Sequence, residues 1–152
     1  MSPPSGRPQH WGPTLLIAAT FALYFFLSRP AAAPAGWGDD YDAALKDAAA
    51  THRNVVIEFY SEGCPPCAAM ERSVLGTPVV REALLGYLPV RLDVNRRDEA
   101  ARRYQVFATP TYVILDEAGR MLAQRAGYLS KEEFVAFLKE NAPLFKPTRQ
   151  TE

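Results

Sequence analysis

Cys64 and Cys67 are the two cysteines of the chain, and two prolines separate them, in the order Cys64-Pro65-Pro66-Cys67. A bond between them closes a very short loop and adds little stability through chain entropy. A secreted disulfide scaffold carries more cysteines at wider spacing. The pair therefore reads as chemistry rather than stapling. Disulfide exchange needs a thiolate that attacks and a second thiol close enough to resolve the mixed disulfide. One helical turn supplies that reach, and a helix N-terminus lowers a thiol pKa through its partial positive charge and amide donors. This assigns Cys64, at the open end, as the nucleophile. Cys67, one turn in, is expected to be more buried and to act as the resolving thiol.

The elements that must hold this pair are legible on either side of it. Val55–Tyr60 reads VVIEFY, a β-branched and aromatic run that suits a buried central strand. Ser61-Glu62-Gly63 breaks it, and a helix opens at Cys64 and runs to about Leu75, with Pro66 in the first turn where proline is tolerated. Before the strand, Asp39 to His52 is expected to be a helix capped by Asp39, with Tyr41, Ala44, Leu45, Ala48 and Ala49 as its apolar stripe. After the cysteines, Thr77 caps a helix to about Leu85, Leu88 to Val94 is a second strand, and Asp98 to Tyr104 a polar helix. Thr111 to Leu115 is a third strand, Asp116 to Gly119 a hairpin loop, and Arg120 to Arg125 the returning strand. Ser130 and Glu133 form a capping box for a last helix that buries Phe134, Phe137 and Leu138. The order α-β-α-α-β-α-β-β-α gives an α/β domain: a mixed sheet with helices on both faces, parallel where helices separate strands and antiparallel at the final hairpin.

Charge excludes one class of partner. Lys and Arg total 17 and Asp and Glu total 17. Arg7 and Arg29 precede Asp39 and every acid follows them, so the rest of the chain holds 15 basic and 17 acidic groups, a net of −2. That is no basic footprint for nucleic acid. Zinc is disfavoured because four ligands are usual, no second cysteine pair exists, and His10 and His52 fall outside ligand spacing.

The N-terminal segment has its own signature. Thr14 to Leu27 reads TLLIAATFALYFFL without a charge and follows Arg7, a pattern of positive n-region and apolar h-region. Ala31–Gly38 is small-residue rich, and cleavage before Gly36 is one reading. The other is a retained anchor over residues 11–28, with Trp11, Tyr24 and Arg29 at the interfaces. Both readings place the rest of the chain in the periplasm or otherwise outside the cytoplasm, with membrane contact only through this segment. The expected organisation is 1–35 signal peptide or anchor plus linker, 36–142 a single domain, and 143–152 a tail.

VVIEFYSEGCPPCAAME over Val55–Glu71 together with ATPTYVILDEAGR over Ala108–Arg120 resembles the thioredoxin superfamily. Within it, the segments are most similar to the C-terminal thioredoxin-like domain of DsbD-type thiol:disulfide interchange proteins. The resemblance covers about Tyr41 to Glu140 and implies the thioredoxin fold. It implies a redox-active disulfide between Cys64 and Cys67, with Pro110 as a cis-proline facing the pair and Thr109 offering its backbone to a substrate strand. It gives Glu58 the place of the buried acid that manages the resolving thiol's proton, and Glu71 that of a second acid that tunes the cysteines. The residues agree for Glu58, since burial in a central strand raises a carboxyl pKa toward the range of a proton shuttle; an edge position in water is the competing reading. For Glu71 a solvated helix surface competes on equal terms. The implied partners are disulfide-containing protein substrates and a membrane thiol-reductant carrier, the chain acting as a monomer without cofactors.

The sequence departs from the family in two places. Gly63 stands where thioredoxins have Trp, and the dipeptide is Pro-Pro rather than Gly-Pro. Two prolines remove two amide donors from the turn facing Cys64, so the thiolate is stabilised less and the dithiol is the better reductant. Two other uses of the same residues stay open: a Cu(I) or thiol-metal chaperone, and a net oxidase or isomerase.

Overall fold

The computed structural model describes residue 17, residues 19–21 and residues 34–142. The apolar segment 14–27 and the tail 143–152 lie outside the described residues, apart from Ile17 and residues 19–21, which are helical. Among the described residues no helix is long and apolar enough to cross a membrane.

The chain enters the domain through Pro34–Gly38, where Trp37 is buried in the core and Gly38 bridges Val90 in parallel. Helix α1 spans Tyr41–Thr51, β1 Asn54–Tyr60 and α2 Pro65–Met70, which continues as a π-helical turn over Glu71–Leu75. Helix α3 spans Pro78–Ala83, with one 3₁₀ turn over Leu84–Gly86, and is followed by β2 Tyr87–Asp93, α4 Asp98–Arg103, β3 Thr111–Leu115, β4 Met121–Ala126 and α5 Lys131–Glu140. The expected elements are all present, with ends that shift by a residue or two. Asp40 caps α1, accepting from the Ala43 N–H at 2.9 Å, in place of Asp39. Thr77 precedes α3 but its hydroxyl donates to Val74 O at 2.6 Å and caps nothing. The capping box of Ser130 and Glu133 forms. Ala49 is exposed, so the buried stripe of α1 is narrower than its sequence pattern, with Tyr41, Ala44 and Ala48 at its centre.

The sheet order is β2-β1-β3-β4, with β1 parallel to β2, β1 antiparallel to β3 and β3 antiparallel to β4. The direction of β3 corrects the parallel pairing expected for every helix-separated strand. A parallel crossover must carry the chain back along the whole sheet. Helix α4 has 6 residues and rises only about 9 Å, whereas a strand of this length runs roughly 20 Å. The chain therefore re-enters the sheet at the same end at which it left β2, beside the C-terminal end of β1, pairing Thr111 with Phe59.

Strand alternation divides the core. Val55, Ile57 and Phe59 of β1 face a layer built on Tyr41, Ala44, Ala48, Ala101 and Tyr104 of α1 and α4. Val56 faces the other layer, with Met70, Val74, Val80, Phe134, Phe137 and Leu138. Parity puts Glu58 in that second layer as well, and there the site's polar residues gather.

Candidate functional site

The cysteines sit where β1 hands over to α2. Cys64 is the N-cap of α2 in extended conformation (φ −83°, ψ 106°), and Pro65 and Pro66 occupy the first turn. Gly63 makes the sharp entry at φ +73°, a left-handed conformation that favours glycine over any residue with a Cβ. A side chain at this position would be strained in that backbone, although nothing stands within 4 Å of an added Cβ. Cys64 and Cys67 are joined in a disulfide. Cys64 is half-buried and Cys67 buried, the order expected from their places on the helix.

The prolines decide what surrounds the outer sulfur. Neither has an N–H, so the Cys67 N–H is the first amide of α2 that can reach Cys64 Sγ, and it donates at 3.2 Å. The next amide, Ala68 N–H, is taken by Cys64 O at 3.1 Å. Across the site Cys64 Sγ lies 3.5 Å from Thr109 O. The Thr109–Pro110 peptide is cis. The hydroxyls of Ser61 and Thr109 lie 3.0 Å apart, and the Gly127 N–H donates to Pro110 O at 2.7 Å. The structure thus brings Cys64, Cys67, Thr109 and Pro110 together across three connecting loops.

The two acids are placed apart from the sulfurs but joined to each other. Glu58 is fully buried, and its register neighbours are Arg91 on β2 and Tyr112 on β3. Arg91 Nε donates to Glu58 Oε2 while its Nη2 donates to Glu71 Oε1, and Tyr112 OH donates to Glu58 Oε1 at 3.2 Å. The Arg91 guanidinium also lies over the Tyr60 ring, 4.2 Å from its centroid. Glu58 makes no hydrogen bond to either sulfur in this disulfide form. Glu71 is not the solvated charge of one reading: its side chain is 10% exposed, and its Oε2 is buried without a hydrogen-bond partner. Cys67, Met70, Glu71 and Val74 follow the i, i+3, i+4, i+7 spacing of one helix stripe, which carries Glu71 inward.

One guanidinium thus serves two buried carboxylates. Complete burial pushes the Glu58 carboxyl above its ordinary range; Arg91 and Tyr112 pull it back only in part, and the neighbouring Glu71 adds to the rise. Burial works against the charge on Arg91, yet the two carboxylates outweigh it and hold Arg91 protonated. Arg91 was missed in the sequence. Its signal was an arginine inside the strand pattern Leu88-Pro89-Val90-Arg91-Leu92, on the same parity as Glu58 relative to the apolar face.

Comparison with known proteins agrees with this geometry. The model of the thioredoxin-like domain family matches residues 41–142. The thiol:disulfide interchange protein DsbD of Ralstonia nicotianae is 31% identical over 105 residues, which cover 66% of this chain and 17% of that protein. The chain therefore spans a small part of that relative. A thioredoxin from Thermus thermophilus superposes with a TM-score of 0.61 at 34% identity, covering 69% of this chain and 85% of that one. The C-terminal domain of Neisseria meningitidis DsbD in its oxidised form superposes with a TM-score of 0.59 at 22% identity, over 69% of this chain and 98% of that one, a likeness of fold. With a family model that spans its folded region and a close cysteine pair where its first strand hands over to the next helix, the chain belongs to the thioredoxin-like family and is a protein-disulfide oxidoreductase of the thioredoxin type.

Proposed function

We propose that this protein reduces protein disulfides outside the cytoplasm. Cys64 acts as the attacking thiolate, and its sulfur bonds to one sulfur of the substrate disulfide while the other leaves as a thiolate. Cys67 then attacks Cys64 Sγ, the mixed disulfide breaks, and the second substrate sulfur leaves. Two electrons pass to the substrate, and the two protons of the enzyme dithiol end on the substrate thiols. Glu58 takes up and returns the Cys67 proton, Glu71 tunes the pair through Arg91, and Thr109 with Pro110 holds the substrate backbone beside Cys64. The domain of 36–142 carries this chemistry as a monomer, without a cofactor. A membrane thiol carrier regenerates the dithiol. The uncharged run Thr14–Leu27 supports the location, as a signal peptide or as an anchor over residues 11–28.

The observation that carries the direction is the single amide at Cys64 Sγ. An oxidising dithiol draws its potential from a strongly stabilised reduced form. Here Pro65 and Pro66 withhold two donors, and two acids share one arginine in the layer beneath α2. Each feature works against a stabilised thiolate. Equilibrium titration against reduced and oxidised glutathione measures the balance. The expected potential lies near the roughly −270 mV of thioredoxin; a value near the roughly −120 mV of DsbA contradicts the assignment as a reductant.

A further inference from the structure

A cavity of about 340 Å³ opens between α1 and α4, which cover the face of the sheet opposite α2. Small-molecule sites have volumes of about 300–1,000 Å³ and are mostly apolar; this cavity has the volume but is lined by charge. Arg96, Arg97 and Arg103 contribute three guanidiniums, and Asp42 and Glu99 two carboxylates. Tyr41 also lines it, held in place by its buried hydroxyl, 2.6 Å from that of Tyr104. None of these residues belongs to the disulfide site. The charges are not spent on one another. Arg91 and Arg120 donate to carboxylates. Among the described residues the guanidiniums of Arg96, Arg97 and Arg103 donate no hydrogen bond, and Asp42 and Glu99 make no ion pair with them. Arg96 lies 3.8 Å from Glu62 Oε1 and 3.7 Å from Asp93 Oδ2, outside hydrogen-bond range. Arg103 lies over the Tyr104 ring, 5.8 Å from its centroid. Water serves such donors on an open surface; here three of them meet at one cavity beside two acids.

A guanidinium presents a planar fork of donors that matches a carboxylate. A ligand that is only an anion meets Asp42 and Glu99 as well and is repelled by them. An ammonium on the same ligand satisfies those two acids. We propose that this cavity binds an amino dicarboxylate, whose two carboxylates pair with Arg96, Arg97 and Arg103 and whose ammonium pairs with Asp42 and Glu99. The same groups occur in a free amino acid and at the N-terminus of an acidic peptide. The site is separate from the exchange chemistry, so the proposal stands or falls independently of the role of Cys64.

The test is an NMR titration of the full chain at low ionic strength, following the backbone amide signals, with L-glutamate, glutarate, L-glutamine and the dipeptide amide of two glutamates as probes. Arg96 is 78% exposed, so water and salt compete, and L-glutamate is expected to bind with a Kd of about 1 mM, shifting the signals of Tyr41, Asp42 and the residues from Arg96 to Arg103. Glutarate lacks the ammonium and L-glutamine one carboxylate, and each should bind about tenfold more weakly. Arg97→Gln with Arg103→Gln should abolish the L-glutamate shifts and leave the rest of the spectrum in place, the sign of an intact fold. Asp42→Asn with Glu99→Gln should reverse the order, so that glutarate binds more tightly than L-glutamate, a gain that a misfolded variant cannot produce. Tighter binding of the dipeptide amide than of L-glutamate supports the site and assigns it to a peptide N-terminus; weaker binding supports it and assigns it to a free amino acid. No shift with any probe, glutarate binding as tightly as L-glutamate to the wild type, or L-glutamate shifts that survive the double arginine substitution would overturn the proposal.

Discussion

Replacing Cys64 by serine is expected to reduce insulin-disulfide turnover to the uncatalysed rate. The hydroxyl keeps the size and the N-cap position of the side chain, and it can still accept from the Cys67 N–H that now meets the sulfur. The cap is therefore retained, and stability should change little, because serine is among the favoured N-cap residues. What is lost is the chemistry: an alcohol is far less acidic than a thiol, and oxygen cannot form the mixed disulfide through which the electrons pass. Cys67 cannot replace it. It is 2% exposed, and a buried thiol is inert toward a bulky disulfide. The check is insulin reduction alongside a thermal melt. A folded Cys64→Ser protein that still turns over contradicts the assignment.

Arg91→Met is expected to destabilise the fold by about 3 kcal/mol at neutral pH, the scale for removing one partner of a buried ion pair. Arg91 is 6% exposed, Glu58 fully buried and Glu71 nearly so, which leaves little solvent to screen the loss. The pH dependence follows from Glu58. Its folded pKa lies above the ordinary 4.5, so its favourable contribution is full below that value and is lost as pH rises through the folded pKa. Arg91 limits that loss by stabilising the ionised form. Without it the Glu58 pKa rises further, and the deficit against wild type grows from acid toward neutral pH. Glu58→Gln gives the contrast: it removes a carboxylate that burial disfavours and leaves Arg91 paired with Glu71, so its cost in stability should be smaller. Denaturant titrations at several pH values read both effects. An Arg91→Met chain as stable as wild type from acid to neutral pH would show that the three charges are not coupled.

The sequence made the reactive centre legible because its signal is local. A strand, a break, two prolines and two cysteines lie within a dozen residues, and helix capping and proline geometry place them without knowledge of the rest of the fold. Thr109-Pro110 stands out in the sequence as an X-Pro step before the third strand, but its cis isomer and its place facing the cysteines follow from the resemblance alone, since sequence does not decide an X-Pro isomer. Arg91 escaped because its meaning depends on register. Glu58 faces Arg91 on one side and Tyr112 on the other only once β1 lies between β2 and β3, and pairing across the sheet is a property of the whole topology. The direction of β3 is hidden for a related reason: the helix before it is legible in the sequence, but whether its 6 residues can carry the chain back depends on the length of the sheet. Glu71 could have been placed, because its spacing from Cys67 and Val74 already sets it on the buried stripe.

The account depends on Cys64 being the sulfur that meets the substrate and Cys67 being the one that lets it go. Mixing the reduced Cys67→Ala chain with an oxidised peptide, quenching in acid and mapping the product by mass spectrometry examines this directly. The expected product is one peptide per chain, bound through Cys64 and stable because no second thiol can release it. No adduct at Cys64, or multiple turnover by a chain that lacks Cys67, would contradict the exchange mechanism at its first step.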